Sequence, residues 1–156
     1  MKLWLVCVGH KMPEWISAGY KEYARRMPRE ANLQLLEIKP ESRSSGKSIA
    51  QIMQAEASRI LAALPHGALR IALDERGIHW TTRQFADQMQ DWMQGGHDVA
   101  FIIGGADGLH DSVKSGAAQL LALSAMTLPH AVARVLLAEQ LYRAWTLLHN
   151  HPYHRE

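Results

Sequence analysis

Apolar residues in this chain fall into short unbroken runs that alternate with longer stretches where they recur every three or four positions. The runs at residues 2–8, 33–38, 68–73, 99–103 and 120–126 have the length and composition of buried strands. Between them the spacing is helical. Pro13, with Trp15, Ile16, Tyr20, Tyr23 and Met27 after it, predicts an amphipathic helix carrying proline in its first turn and ended by Pro28. Ser48 with Gln51, and Thr81 with Gln84, have the capping-box spacing. The first opens a helix through Ile49, Ile52, Met53, Ile60 and Leu64, stopped by Pro65-His66-Gly67; the second opens one through Phe85, Met89, Trp92 and Met93, closed by Gly95-Gly96. A short helix or turn begins at Asp111, and residues 131–148 form the last helix. Residues 40–47 read as a mobile surface loop and 74–80 as a second loop. Strands alternating with helices predict an α/β fold, a largely parallel sheet covered on both faces, because parallel neighbours need crossover connections. Ligands of such sheets gather beyond the carboxyl ends of the strands, which points to the loops starting at Asp74, Gly104 and Thr127.

Composition narrows the class without choosing a function. The 156 residues fit a single domain, 1–156, and 47% hydrophobic with 21% charged residues is ordinary for a globular chain. The first apolar run is far shorter than the roughly 20 residues of a membrane span and lacks a cleavage site, so a cytoplasmic protein is expected, with no membrane association. The one cysteine, Cys7, sits in that apolar run and reads as a small buried side chain. A formal charge of +2 does not by itself argue for nucleic acid. Lys21, Arg25, Arg26 and Arg29 on the first helix, with Arg43 and Lys47 in the loop, are a local basic signal, equally readable as a solvated face.

Three motifs carry candidate chemistry. Gly46-Lys47-Ser48 imitates the end of a phosphate-binding P-loop, but Glu41 stands where the motif needs its first glycine, which argues against a nucleotide hydrolase. His149, His151 and His154 match no common zinc spacing, so no metal is expected. The last helix is apolar on more than one face, through Val132, Val135, Leu136, Leu137, Leu141, Trp145 and Leu148, and so needs a second partner surface, plausibly another subunit. On it Glu139 and Arg143 have ion-pair spacing, read as a solvated pair, and His130 and Arg134 share a face.

The glycine loop Gly104-Gly105-Ala106-Asp107-Gly108 after an apolar strand, the segment Leu123-Ser124-Ala125-Met126-Thr127-Leu128-Pro129-His130, the long helix, and the tail His151-Pro152-Tyr153-His154-Arg155-Glu156 follow one another in an order with a known counterpart. The chain resembles the SPOUT class of S-adenosylmethionine-dependent RNA methyltransferases, and within it the small bacterial type that methylates a pseudouridine of 23S ribosomal RNA. The likeness runs from Lys2-Leu3 through Gly9-His10-Lys11-Met12-Pro13 to the last residue. It implies a trefoil knot near the C-terminus, a homodimer packed through the knotted region, S-adenosylmethionine as methyl donor without a metal, and 23S rRNA within the ribosome as substrate. It also implies cofactor contacts from Leu73, Gly104, Gly105, Leu123, Ser124, Ala125, Met126, Thr127 and Leu128, with Gly105 letting the cofactor approach its backbone. Tyr153, His154 and Arg155 of the tail, with Arg143, become the catalytic candidates. Within that resemblance His154 suits proton transfer, histidine being the side chain that ordinarily titrates near neutrality. Tyr153 suits stacking on or bonding the uridine, and Arg155 and Arg143 suit phosphate or developing charge. A non-catalytic RNA- or ribosome-binding module remains the alternative.

Overall fold

A computed structural model describes residues 1–44 and 46–155; Ser45 of the first loop and Glu156 at the end of the tail lie outside the described residues. Five parallel strands form one sheet in the order β2-β1-β4-β3-β5: β1 (Lys2–Val8), β2 (Asn32–Ile38), β3 (Leu69–His79), β4 (Val99–Ile103) and β5 (Gln119–Ala122). The connecting helices are α1 (Glu14–Ala24), α2 (Ile49–Ala63), α3 (Thr82–Gln94), α4 (Asp111–Ser115) and α5 (His130–Leu148).

Strand alternation sorts the core into two layers, as a period of two requires. Leu3, Leu5 and Cys7 of β1, with Phe101 of β4, face α1, α3 and α5. Val6 and Val8, with Ile102, face α2 and α4. The central strand β4 is buried along its whole length. Cys7 lies inside the first layer, where burial pushes its thiol up to about 12 and keeps it an inert apolar filler. Both expected capping boxes form, at Ser48 with Gln51 and at Thr81 with Gln84, and their hydroxyls cap α2 and α3.

Three boundaries differ from the sequence expectation. The first helix stops at Ala24 rather than at Pro28, because Arg25 to Met27 tighten into turns that donate to Lys21, Tyr23 and Ala24 carbonyls. The loop expected at 74–80 belongs largely to β3, which keeps pairing with β5 after an irregularity: Leu73 and Ile78 both pair with Leu121, and residues 74–77 leave the ladder between them. The strand expected at 120–126 ends at Ala122, releasing 123–129 as a loop.

The last helix is fastened at its N-terminal end by Arg134, which is 2% exposed. Its guanidinium donates to Glu37 at the end of β2 at 2.9 Å, and its other terminal nitrogen lies 3.5 Å from the Gly9 carbonyl just past β1. A buried charge left without its partner is costly. Glu37→Ala should therefore destabilise the protein by roughly 3 kcal/mol in urea unfolding, and Arg134→Met added to it should recover a large part of that loss. Strict additivity of the two substitutions would show that the pair is not the reason for the cost.

Candidate active site

The chemistry gathers at the carboxyl edge of the sheet, where chain ends leave parallel strands with unpaired backbone groups. There a cleft of about 530 Å³ opens, within the usual range of a small-molecule site. Residues 74–76 of the excursion form one wall, and Gly77 lets the chain pass close against β5 as it rejoins the ladder: a Cβ there would stand 2.6 Å from the Leu120 carbonyl. Asp74 on this wall accepts the Arg76 backbone N–H at 2.8 Å and pairs with Lys114 of α4 at 3.0 Å. The bond from the Arg76 amide, followed by Lys114, holds its carboxyl below the usual aspartate range, so it is charged at neutral pH.

The glycine loop forms the floor. Gly108, at φ 81°, turns the chain back so that its N–H reaches the Gly105 carbonyl at 3.1 Å. A side chain at Gly104 would collide with Gly108 backbone at 2.7 Å. At Gly105 a Cβ would meet Val8 at 3.2 Å and the Glu56 carboxylate at 3.6 Å. The missing side chain thus lets the loop settle onto β1 and α2, while its backbone lines the cleft. Glu56, buried on α2, accepts the Glu41 backbone N–H at 3.1 Å, and Arg43 pairs with Asp107. The loop expected to be mobile is thereby fastened to the cleft floor. Lys47 pairs with Glu41 at 3.3 Å and the Ser48 hydroxyl is spent on its cap, so neither serves a phosphate cradle.

Residues 123–130 close the remaining side. Leu123, Ser124, Met126, Thr127, Leu128 and His130 line the cleft together with Leu73, Gly104 and Gly105. The Ser124 hydroxyl accepts the Met126 N–H at 2.9 Å and shapes the bend. Ala125 does not line the cleft; it sits on the exposed outside of that bend. Met126 is 78% exposed at the rim. Burial, and then the Arg134 charge, lower the pKa of His130 and favour its neutral form. Asp74, Glu75, Arg76, Asp107, Lys114 and His130 also line the site. The run Asp74-Glu75-Arg76 at a strand end was a usable signal for part of this set, whereas nothing in the spacing marked Lys114 or Glu56.

The tail candidates lie elsewhere in the chain. α5 ends in a Schellman turn: Asn150 takes the left-handed conformation at φ 54°, and the His151 N–H reaches the Thr146 carbonyl at 2.9 Å. This turns residues 151–155 back along the helix, and the Tyr153 ring packs 4.8 Å from that of Tyr142. Tyr142 lies twelve residues beyond His130, so at 1.5 Å per residue the tail stands about 18 Å along the helix from the cleft wall. Arg143 is held by Glu139 at 2.6 Å, a half-buried pair rather than the solvated one expected. One chain therefore brings together the expected cofactor residues, Ala125 excepted, but keeps Tyr153, His154, Arg155 and Arg143 apart from them. Among the described residues no three His, Cys, Asp or Glu side chains form a group able to hold a metal, and no helix is long and apolar enough to cross a membrane.

A family model described as "Predicted SPOUT methyltransferase" matches residues 1–154. The chain belongs to the SPOUT methyltransferase family. Among its SPOUT relatives, the "Ribosomal RNA large subunit methyltransferase H" of Paraburkholderia phymatum is 59% identical over 155 residues, covering 99% of both chains. The crystal structure of a probable methyltransferase from Bordetella pertussis shares the fold at a TM-score of 0.56 and 15% identity, covering 91% of this chain and 95% of that one. A putative methyltransferase of Legionella pneumophila, solved with bound cofactor SAM, does so at 0.51 and 16%, covering 93% and 66%.

The depressed Asp74 carboxyl predicts a pH effect on this SPOUT site. Its folded interactions stabilise the protein fully above the unfolded value near 3.8 and are lost as pH falls through the lower folded value. The stability advantage of wild type over Asp74→Asn, measured by urea unfolding, should be present at pH 6 and shrink as the pH drops below about 4. An advantage that does not change with pH would show that this carboxylate is not stabilised in the fold.

Proposed function

We propose that this protein transfers a methyl group from S-adenosylmethionine to N3 of a pseudouridine in 23S ribosomal RNA, acting in the cytoplasm as a homodimer on the assembled ribosome. The observation that carries the reading is the separation of two half-sites in one chain: a donor-sized cleft at the N-terminal end of α5 and a His-Arg tail folded against its other end. A tail about 18 Å away along a rigid helix serves the cleft of a second copy more readily than its own. The full-length relative named for the large ribosomal subunit RNA supports the choice of substrate.

The cleft residues fit the donor. Leu73, Leu123 and Leu128 offer apolar walls for flat faces, and Gly104 to Gly108 offer backbone groups for a base edge. Asp74, Glu75 and Asp107 suit the positive charges of the ligand, while Lys114 and Arg76 suit its carboxylate. When bound there, S-adenosylmethionine supplies an electrophilic methyl group on a positively charged sulfur. On the substrate side, N3 must lose its proton before it becomes a nucleophile; a ring nitrogen of His154 accepts it, and exposed Arg155 meets phosphate.

The dimer needs an apolar face. α5 buries Leu137 and Leu141 in its own core, but Leu136 remains 41% exposed, and Trp15 is exposed on α1 beside it. A second copy covering these residues would supply the partner surface that α5 lacks.

These statements predict separable outcomes. Leu128→Ala should weaken S-adenosylmethionine binding about tenfold by calorimetry, from the lost burial of one leucine, with the fold intact. Removing residues 153–156 should abolish methyl transfer to ribosomes yet spare donor affinity, and His154→Ala should slow transfer by roughly two to four orders of magnitude. A truncated protein that methylates normally would place the chemistry elsewhere. For assembly, Leu136→Glu should sediment as a monomer at micromolar concentration, and a wild type that is itself monomeric would remove the shared site. Leu141→Glu would instead break the core of a single subunit.

A further inference from the structure

Tyr153 is already fully engaged inside its own subunit. Its ring meets Tyr142 edge-on at 4.8 Å, and the Arg143 guanidinium lies 4.9 Å from its centre. Its hydroxyl is pushed up to about 12 by burial and by a hydrogen bond with Tyr23, which keeps it a neutral phenol. A nucleobase taking the ring face that Arg143 covers would have to displace that guanidinium.

The same cluster extends to the turn that follows α1. The Arg26 guanidinium lies 5.6 Å from the centre of the Tyr23 ring and 5.7 Å from that of Tyr142, and Glu22 pairs with it from one helical turn earlier. Tyr23 and Tyr142 themselves stand 6.4 Å apart. Two guanidinium groups are thus interleaved with three phenol rings, and each is paired with a carboxylate, Arg143 with Glu139 and Arg26 with Glu22, which Arg25 also engages. Cations paired and stacked in this way are committed to the fold of the tail more than to a phosphate.

We propose that Tyr23 and Arg26 are positioning residues for the methyl transfer: through Tyr142 and Tyr153 they set where His154 and Arg155 stand when the tail serves the active site. The proposal rests on the reading that the tail takes part in methyl transfer. It makes the end of α1, which does not line the cleft, part of the catalytic geometry. Arginine is required at position 26 because its flat, delocalised cation can lie against two rings, whereas a lysine ammonium keeps the charge and loses the stacking.

The test compares Arg26→Lys, Arg26→Ala and Tyr23→Phe in the full-length protein, reading kcat and KM on ribosomes, S-adenosylmethionine affinity by calorimetry, and the side-chain NMR resonances of Tyr153 and His154. Both Arg26 variants should lower kcat about tenfold or more, with KM and donor affinity little changed. In both, the Tyr153 and His154 resonances should move toward those of an unstructured peptide, and Tyr23→Phe should show a smaller change in the same direction. Wild-type kcat in Arg26→Lys overturns the proposal, as does a loss confined to KM that steepens with salt, the signature of a phosphate contact. Unchanged tail resonances in Arg26→Ala overturn it as well. The NMR arm needs no activity, so a wild type that fails to methylate ribosomes would remove the proposed function, while the resonances would still decide whether Tyr23 and Arg26 hold the tail in place.

Discussion

The buried guanidinium of Arg134 fixes the element on which the placement of both the cleft wall and the tail depends. By joining the first turns of α5 to Glu37 at the end of β2 and to the Gly9 carbonyl past β1, it sets the depth and rotation of the helix against the sheet. That placement puts His130 and Ala133 into the cleft wall. It also determines, a whole helix length away, where the chain turns at Asn150 and lays its tail against Tyr142. The charge is tolerated in an otherwise apolar layer because it is paired, and its pairing joins the helix to the ends of two strands that are already hydrogen-bonded to each other.

Much of the fold was legible because its elements are locally consistent. Both capping boxes formed where Ser48 and Thr81 stood three residues before a glutamine, and the buried runs became strands because parallel strands covered on two faces carry no alternation to obscure them. What failed, failed at the carboxyl edge of the sheet. Residues 74–77 interrupt a strand without ending it, which the polar run Asp74-Glu75-Arg76 disguises as a loop; conversely Leu123 to Met126 look like strand but have no neighbour to pair with. Strand pairing is a long-range property, so a sequence window cannot tell an excursion from an end. A trefoil knot lies beyond any window, since it concerns the path of the chain and not its periodicity.

The candidate site was legible in unequal parts for a related reason. Leu73, Gly104, Gly105 and most of 123–128 were found because they belong to contiguous segments with a family likeness. At Gly105 packing supplies a further reason for glycine that the sequence did not show, because a Cβ there would press on Val8. Lys114 and Glu56 come from helices on the other layer and reach the site only through packing. The turn at Asn150 was readable in principle, asparagine being the second choice after glycine for a left-handed helix end.

The two ends of α5 set the cleft and the tail apart within one chain. A parallel sheet places all its strand ends, and hence its ligand cleft, on one edge, and a helix crossing back over it carries whatever follows to the opposite edge. Here the chain reverses at Asn150 and lays Tyr153 against an aromatic and cationic cluster, so the tail stands away from the cleft edge of its own sheet. In the proposed homodimer a second copy would bring the tail to the cleft, and a tail already folded against its own helix would lose less entropy on joining it than a disordered one. The packing of Tyr153 between Tyr142 and Arg143 is the physical form that this preorganisation takes.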